Sequence, residues 1–333
     1  MKRKMIRYTL LFMILLAAFL AYSVLKIRLT RSVSVNSLDT TLIGDTLNLY
    51  RHVKQLTVDI GSRSVHEYDK LEATREYIVS SLKAFDYIPS LQTYIYCGRK
   101  YSNVIASIRG AKLPDETVII GAHYDTVYGT PGADDNASAV ATLLEIARAL
   151  KGFSPDRTLK LIFFTIEEHP VFRSEDMGSY VYAKDARARN ESIKAMISLE
   201  MLGYYANEKG GQTFPLPLMS LIYPSTPNFI AVVGNPSSRS LVAKINNSLR
   251  ASSRIPVETL SAFSFVPGVD FSDHRSFWKM GYPAVMITDT AFYRNPNYHR
   301  ETDTIDTLDF DKMSDLLRGL IKTAKDLTDS SLP

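Results

Sequence analysis

Several apolar runs of the chain are unbroken rather than alternating, and they restrict its possible folds more than any other feature. Examples are Thr117–Ala122, Leu159–Ile166 and Ala195–Leu199. Strands with one solvated face alternate apolar and polar residues, whereas strands covered on both faces read as continuous apolar runs. Helical patterns stand between these runs, for example over Ala137–Leu150 and Phe310–Asp326. The alternation predicts an α/β fold, a single domain with a central, largely parallel mixed sheet flanked by helices.

Other segments fit the same scheme. Further strands are predicted at Leu91–Tyr96, Asn103–Ile108, Phe229–Val233 and Ala284–Thr288. Further helices are predicted at Gly178–Arg189, Ser238–Ala251 and Phe271–Met280, and the apolar spacing is helical from Thr46 to about Ala84. Residues 205–227 hold four prolines and a Gly-Gly pair without clear periodicity. This segment is predicted to be a long loop of the kind that forms functional lids.

The N-terminal segment differs from the rest of the chain. An uncharged, mostly apolar run of eighteen residues, Tyr8–Leu25, lies between Arg7 and Lys26. This length is near the lower limit for spanning a bilayer. The division predicted is a basic cytoplasmic N-terminus (1–7), a transmembrane signal anchor (8–25), a tether (26–45) and a folded domain (46–330). A cleaved signal peptide is the alternative. The protein is therefore expected to cross the membrane once, with its folded domain on the extracytoplasmic side.

Charge and cysteine content argue against a nucleic-acid-binding protein and against a fold held together by disulfides. Residues 1–31 hold seven Lys or Arg and no acid, and without them the chain has 32 basic and 35 acidic residues, a net charge of −3. The body therefore lacks the basic surplus that binds nucleic acid, and no nucleic-acid partner is expected. Because Cys97 is the only cysteine, no internal disulfide can form. The oligomeric state is not predicted.

Titratable side chains follow four of the predicted strands. Ligands of open α/β sheets bind beyond the carboxyl ends of the strands, so these side chains are expected to converge at one edge. The alternative interpretation is that each of these side chains simply belongs to a solvated acidic loop. Together they favour a functional site, and they are His123, Asp125, Glu167, Glu168, Glu200 and His299.

The residue types point to metal chemistry. Imidazole and carboxylate ligands without thiolate suit zinc, manganese or cobalt, with zinc the best match. The candidate ligands outnumber the three that one catalytic zinc takes, whereas two metals that share one carboxylate would use five. The density of acids in the segment HYDTVYGTPGADDN, residues 123–136, is then explained because divalent cations neutralise the carboxylates.

The order of the motifs resembles the M28 family of co-catalytic di-zinc peptidases, best known for aminopeptidases. The resemblance runs from about residue 100 to 310. Its pieces are HYD at 123–125, PGADDNAS at 131–138, TIEE at 165–168, SLEM at 198–201, and YH at 298–299 before DT at 303–304.

The resemblance implies a role for each site residue. Asp135 would bridge two zinc ions, His123 and Glu200 would bind one, and Glu168 and His299 the other. Asp125 would orient His123 through a hydrogen bond. The resemblance also implies that Glu167 is the general base. Neighbouring side chains at a strand end point to opposite sides, so Glu168 could bind a metal while Glu167 faces the substrate. The family also implies a cis peptide bond between Asp135 and Asn136.

The activity implied is that of a zinc-dependent aminopeptidase acting on peptides with a free N-terminus, through a water bridged by the two zinc ions. Two alternatives stay open at this stage, a glutaminyl-cyclase-like acyltransferase with one zinc and a non-catalytic binding ectodomain. Glu200 stands where many members have Asp. His169–Met177 interrupts the usual pattern and is expected to be an inserted loop that shapes the pocket.

Other polar residues near these motifs are predicted to be structural. His274 is expected to orient the helix that follows it, and Asp134 to support the loop. His52 and His66 are expected at the surface.

Overall fold

An eight-stranded mixed sheet runs through the middle of the protein, as the unbroken apolar runs predict. The computed structural model describes residues 45–331. Hydrogen bonds connect the strands in the order β1-β2-β4-β3-β5-β8-β6-β7. In chain order the strands are β1 Ser90–Tyr96, β2 Arg99–Ile108, β3 Leu113–His123, β4 Arg157–Phe164, β5 Ser192–Glu200, β6 Ile230–Gly234, β7 Val257–Ser261 and β8 Ala284–Thr288.

Helices fill the connections between the strands. In chain order they are α1 Thr46–Lys54, α2 Tyr68–Ala84, α3 Ala139–Ala149, α4 Gly178–Ala188, α5 Arg239–Ser252, α6 His274–Lys279 and α7 Phe310–Thr328. Leu49, Leu71, Leu143 and other residues of α1, α2, α3, α5 and α7 share the main apolar core with one face of the sheet. Tyr182 of α4 and Phe277 of α6 pack on the opposite face.

The strand directions decide where functional side chains can gather. β3 is parallel to β4 and β5, and β5 is parallel to β8. Their carboxyl ends therefore lie at one edge of the sheet, which we call the site edge. β6 is antiparallel to β8 and parallel to β7. The amino ends of β6 and β7 consequently lie at the site edge too.

The structure corrects several predicted boundaries. β7 was not predicted, because its sequence VETLS has too few apolar residues to stand out. The helix predicted from Phe271 begins only at His274, and the helical segment predicted over 46–84 is two helices with a break between them. β4 ends at Phe164 rather than at Ile166.

His52 was expected at the surface, and that prediction is wrong. The side chain is buried between α1, α2 and α3, where Nδ1 lies 2.6 Å from the Tyr77 hydroxyl and Nε2 lies 3.4 Å from Glu145 Oε1. His66 is exposed as expected. The periodicity of a helix identifies its apolar stripe but does not show that a histidine completes it.

Among residues 45–331, no helix is long and apolar enough to cross a membrane. The predicted basic N-terminus (1–7) and signal anchor (8–25) lie outside the described residues, as does the tether except for its last residue.

Candidate metal centre

Five of the side chains predicted from the sequence meet at the site edge. His123 is the last residue of β3, and Glu200 is the last residue of β5. Asp135 comes from the tight turn before α3, Glu168 follows β4, and His299 follows β8. The strand order places β4, β3, β5 and β8 side by side, so residues far apart in sequence become neighbours.

One group of three potential ligands contains His123, Asp135 and Glu200. Nε2 of His123 lies 3.4 Å from Asp135 Oδ1 and 3.4 Å from Glu200 Oε2. All three side chains are buried. Glu200 also accepts a hydrogen bond from the Ser272 hydroxyl at 2.7 Å, which fixes the orientation of its carboxylate.

A second group contains Asp135, Glu168 and His299. Nε2 of His299 lies 3.2 Å from Asp135 Oδ2 and 3.4 Å from Glu168 Oε2. Asp135 thus belongs to both groups, and its two oxygens face different histidines. This is the arrangement in which one carboxylate can bridge two metal ions.

The donor set fits divalent cations. Oδ1 of Asp135 is buried without a hydrogen-bond partner, although buried carboxylate oxygens are normally paired. Three other carboxylates line the cleft around it, and the described lining residues include no Lys or Arg. Nitrogen and oxygen donors without sulfur match zinc. The two groups that share Asp135 are two of three such groups among the described residues, and the third is His123, Glu167 and Glu168.

Burial and the charges of neighbouring side chains shift the pKa values of the potential ligands and of Glu167. Burial, followed by the charge of Asp135, raises the pKa of Glu168 to about 7. Burial also raises the pKa values of Glu167 and Glu200. For His299, burial acts to lower the pKa, but Asp135 and Glu168 outweigh it and raise the pKa to about 10. Without a cation, protons therefore compensate the carboxylates, and a cation would replace those protons.

Asp125 supports three residues of the site at once. Its Oδ1 lies 3.3 Å from His123 Nδ1, as the resemblance implied. The same carboxylate accepts hydrogen bonds from the backbone amides of Glu167 at 2.9 Å and Glu168 at 3.0 Å. The sequence did not predict these two bonds. They join the end of β3 to the segment after β4.

The argument from strand alternation for Glu167 and Glu168 was wrong. Both residues lie beyond Phe164, the last residue of β4. Ile166, which directly precedes them, has a left-handed φ of 41°. Both side chains line the same cleft, and both lie near His123. The different roles predicted for them must therefore come from their individual positions in the cleft rather than from opposite faces of a strand.

Backbone strain gathers at the same edge. Ile166 before Glu167, Met201 after Glu200 and His299 itself have φ of 41°, 49° and 58°. Residues other than glycine adopt positive φ at a cost, and such residues cluster at functional sites. The peptide bond between Asp135 and Asn136 is cis, as the resemblance implied.

Three further residues hold the Asp135 turn in place. The carboxylate of Asp303 accepts hydrogen bonds from the amides of Asp134 at 2.9 Å and Asp135 at 3.1 Å. Asn136 donates to the Leu199 carbonyl at 3.0 Å and so ties the turn to β5. Asp134 accepts from Gly203, which agrees with the structural role expected for it. Asp303 is the first residue of the DT motif at 303–304, so the family resemblance contained a signal that could have identified it.

Arg63 was missed by the sequence reasoning. It is fully buried, and it donates to the carbonyls of Tyr124 at 2.9 Å, Pro131 at 2.7 Å and Gly132 at 2.8 Å. These carbonyls belong to the loop between His123 and Asp135. Gly132 has φ of 59°, and a Cβ there would lie 2.4 Å from the Asp135 carbonyl oxygen. Burial lowers the pKa of Arg63 to about 10.

The cleft at the site encloses about 760 Å³ and is lined by Asp135, Glu167, Glu168, His169, Phe172, Glu200, Phe271, Phe292, Tyr298 and His299. His169 and Phe172 come from the predicted inserted loop. Arg173 of that loop donates to Asp270 at 2.7 Å and lies over the Phe271 ring. The predicted role of this loop in shaping the pocket is therefore consistent with its contacts.

His274 belongs to none of the three groups of potential ligands. It is fully buried at the start of α6, and its Nε2 lies 2.8 Å from the Val269 carbonyl oxygen. Burial lowers its pKa to about 4. It orients the start of the helix, as the sequence predicted.

The sequence of residues 103–324 matches peptidase family M28. The chain belongs to peptidase family M28. Membership confirms the expectation of a zinc-dependent peptidase and therefore of a hydrolase. No comparison tests the individual roles of the site residues, which stay predictions.

Similar proteins match this chain over different lengths. An uncharacterised protein of Escherichia coli, YfbL, is 40% identical over 281 residues, which cover 82% of this chain and 85% of that protein. A probable leucine aminopeptidase of Trichophyton verrucosum is 29% identical over 228 residues. That match covers 63% of this chain and 53% of the relative, so the chain spans about half the length of that aminopeptidase.

Solved structures share the fold of this M28 chain. A zinc aminopeptidase from Bacillus subtilis has a TM-score of 0.67 at 13% identity, with 87% of this chain and 96% of that chain covered. A glutaminyl cyclase from Bacteroides thetaiotaomicron has a TM-score of 0.64 at 18% identity, with 85% and 98% covered. At these identities the likeness describes the fold alone.

Proposed function

We propose that the protein is a zinc-dependent aminopeptidase with two zinc ions per chain. The observation that carries the proposal is the bridging position of Asp135, whose two oxygens face His123 and His299 separately. His123 and Glu200 would hold one ion, and Glu168 and His299 the other. Bound zinc would polarise the scissile carbonyl and supply an activated water at neutral pH. The names of the leucine aminopeptidase relatives support the same activity.

The direction of cleavage is inferred from charge. The cleft is lined by four carboxylates and two histidines, and its described lining residues include no Lys or Arg. Two zinc ions would neutralise most of this acid, but the described lining offers no Lys or Arg that could pair with a C-terminal carboxylate. The names of the leucine aminopeptidase relatives also favour recognition of a free N-terminus. The substrate would therefore be a peptide with an unblocked N-terminal residue.

Two residues would act on the substrate directly. Glu167 lines the cleft beside the ligand groups and would take a proton from the attacking water and give it to the leaving amine. Tyr298 stacks on the His299 ring with centroids 3.7 Å apart, and it lines the cleft and the neighbouring cavity. Its hydroxyl would donate a hydrogen bond to the charge that develops on the scissile carbonyl oxygen.

A peptide panel and elemental analysis would test the proposal. The purified full-length chain should hydrolyse peptides with free N-termini and leave N-acetylated copies intact. It should contain close to two zinc ions at saturation. One zinc per chain with cyclisation of N-terminal glutamine would indicate the glutaminyl cyclase alternative instead. Zinc binding without turnover of any peptide would indicate a binding ectodomain.

The location is a second proposal. We infer from the run Tyr8–Leu25 and its flanking basic residues that the chain is anchored by one transmembrane segment, with the peptidase domain on the extracytoplasmic side. The protein should stay with membranes after carbonate washing, and external protease should remove the domain. Recovery of soluble protein that begins after residue 21 would show a cleaved signal instead.

A further inference from the structure

We propose that the inserted loop His169–Met177 binds the second residue of the substrate, and that Phe172 selects an aromatic or large apolar side chain there. The inference rests on the aminopeptidase activity proposed above. It adds a binding site beyond the scissile bond, and it comes from the contacts of a loop that interrupts the usual pattern of the family.

Two connected spaces open from the metal centre. The first is the cleft that the potential zinc ligands line. The second is a neighbouring cavity of about 790 Å³, which shares Glu200, Phe271, Phe292 and Tyr298 with the cleft. Five buried apolar residues on and beside β6 and β8 pack together where this cavity meets the sheet, namely Phe229, Ala231, Val233, Val269 and Met286.

The two spaces suit different parts of a substrate. The neighbouring cavity ends against buried residues, so it suits the side chain of the N-terminal residue, whereas the remaining peptide has to follow a path that reaches solvent. His169 and Phe172 belong to the described lining of the cleft but not to that of the cavity. His169 is exposed, so the cleft reaches solvent at this loop. The second residue of the substrate would therefore pass the inserted loop.

Hydrogen bonds fix the loop directly behind a potential zinc ligand. The amides of Val171 and Phe172 donate to the Glu168 carbonyl at 2.8 Å and 3.0 Å. Further along the loop, the Asp176 carbonyl accepts a hydrogen bond from the Tyr94 hydroxyl at 2.7 Å. These bonds hold Phe172 in a set position relative to the metal centre, so the binding site would exist before the substrate arrives.

Phe172 belongs to a group of aromatic rings. Its ring centroid lies 5.5 Å from that of His169 and 5.9 Å from that of Phe271, both edge to face. The Phe271 centroid lies 5.9 Å from that of Phe292. All four rings line the cleft, and Phe172 and Phe271 are only half-buried. They therefore offer apolar ring surface to a bound peptide.

Arg173 supports these rings from within the same loop. Its guanidinium lies over the rings of Phe172 and Phe271, 5.5 Å and 4.7 Å from their centroids. It donates to Asp270 at 2.7 Å, and Asp270 pairs with Arg275 as well. The charge of Arg173 is thus engaged, and the cleft receives rings from this loop. Such a wall stabilises an apolar side chain through burial and an aromatic one also through ring packing.

The test compares leucyl-phenylalanine amide with leucyl-alanine amide, which differ only in the side chain of the second residue. Initial rates of leucine release from the zinc-loaded full-length enzyme give kcat/KM for each. The value should be at least roughly tenfold higher for the phenylalanine peptide. This ratio depends on no variant. Equal values, or a preference for the alanine peptide, would overturn the inference.

Phe172→Ala should reduce that ratio to roughly threefold or less, mainly through a higher KM for the phenylalanine peptide. Phe172→Leu keeps a large apolar side chain and should retain most of the preference. Phe265→Ala is the matched control, because Phe265 is 80% exposed and is absent from the described lining of both spaces. Equal losses for both peptides in Phe172→Ala, with the ratio kept, would indicate a structural role and overturn the inference.

A binding measurement separates this inference from the proposed function. Calorimetry on zinc-loaded Glu167→Gln, which should bind peptide without turnover, compares the affinities of the two peptides. Binding roughly tenfold tighter for the phenylalanine peptide would support the inference even if the parent hydrolysed neither peptide and the proposed function fell. Hydrolysis of both peptides with equal kcat/KM and equal affinity would leave the aminopeptidase function standing and overturn the role of Phe172.

Discussion

The carboxylate of Asp125 accepts a hydrogen bond from the backbone amide of Glu167 at 2.9 Å. It also accepts one from Glu168 at 3.0 Å and lies 3.3 Å from His123 Nδ1. One side chain thus fixes the orientation of an imidazole on β3 and the course of the backbone after β4. Asp125 is a positioning residue, because it acts through these neighbours rather than on the substrate.

Asp125→Asn should therefore impair both zinc binding and turnover. An amide has one acceptor oxygen instead of two, and its NH₂ group would face the Glu167 or Glu168 amide. Loss of a partner behind a metal-binding histidine commonly costs 10- to 100-fold in metal affinity or activity. Zinc titration and steady-state kinetics would measure both. Asp115→Asn, an exposed change near the other end of β3, is the control. Unchanged zinc affinity would contradict the assignment.

Glu167 and Glu168 should respond differently to removal of their charge. Glu167→Gln keeps shape but cannot accept a proton, so kcat should fall by roughly 10²–10⁴-fold. KM and zinc content should stay near the parental values, because no ligand is lost. Glu168→Gln should lose one zinc together with activity. The comparison needs elemental analysis and kinetics, and loss of zinc in Glu167→Gln would reverse the two assignments.

Zinc binding should release protons. The pKa of His299 in the zinc-free protein is raised to about 10, so at pH 7.5 its imidazole is protonated. A metal binds only the neutral imidazole, so binding must displace this proton. Calorimetry at pH 7.5 in buffers of different ionisation enthalpy would count the protons. Apparent zinc affinity should rise with pH up to about pH 10. Affinity independent of pH would show that His299 is not a ligand.

Arg63→Lys should destabilise the fold although the charge is kept. The guanidinium donates to the carbonyls of Tyr124, Pro131 and Gly132, and an ammonium group cannot match that geometry. We expect the free energy of unfolding to fall by roughly 3 kcal/mol, because buried carbonyls lose charged donors. Urea denaturation of the zinc-free protein would measure it. Arg51→Lys on the exposed side of α1 is the control, and equal stability of both variants would contradict the role.

Much of the fold could be predicted from local sequence pattern. Runs such as Thr117–Ala122 and Ala195–Leu199 lie within observed strands, because a strand buried on both faces needs apolar residues at every position. Gly178–Arg189 was predicted to within one residue of the observed helix. β7 escaped notice because its five residues carry little apolar pattern, and its place in the sheet depends on pairing with β6.

The candidate site, like the fold, was predictable from the sequence only in part. The sequence by itself determined which residue types follow which strands. The order of the motifs identified the family, and the family resemblance in turn pointed to Asp125, Asp135 and His299 as site residues. Only the tertiary structure decided what those residues touch, for example that Asp125 accepts from two amides some forty residues further along the chain. The same holds for Arg63, whose partners belong to a distant loop, and for β7, whose place depends on its register with β6. Periodicity is a local property of the chain, whereas register and long-range hydrogen bonds arise only when separate segments pack together.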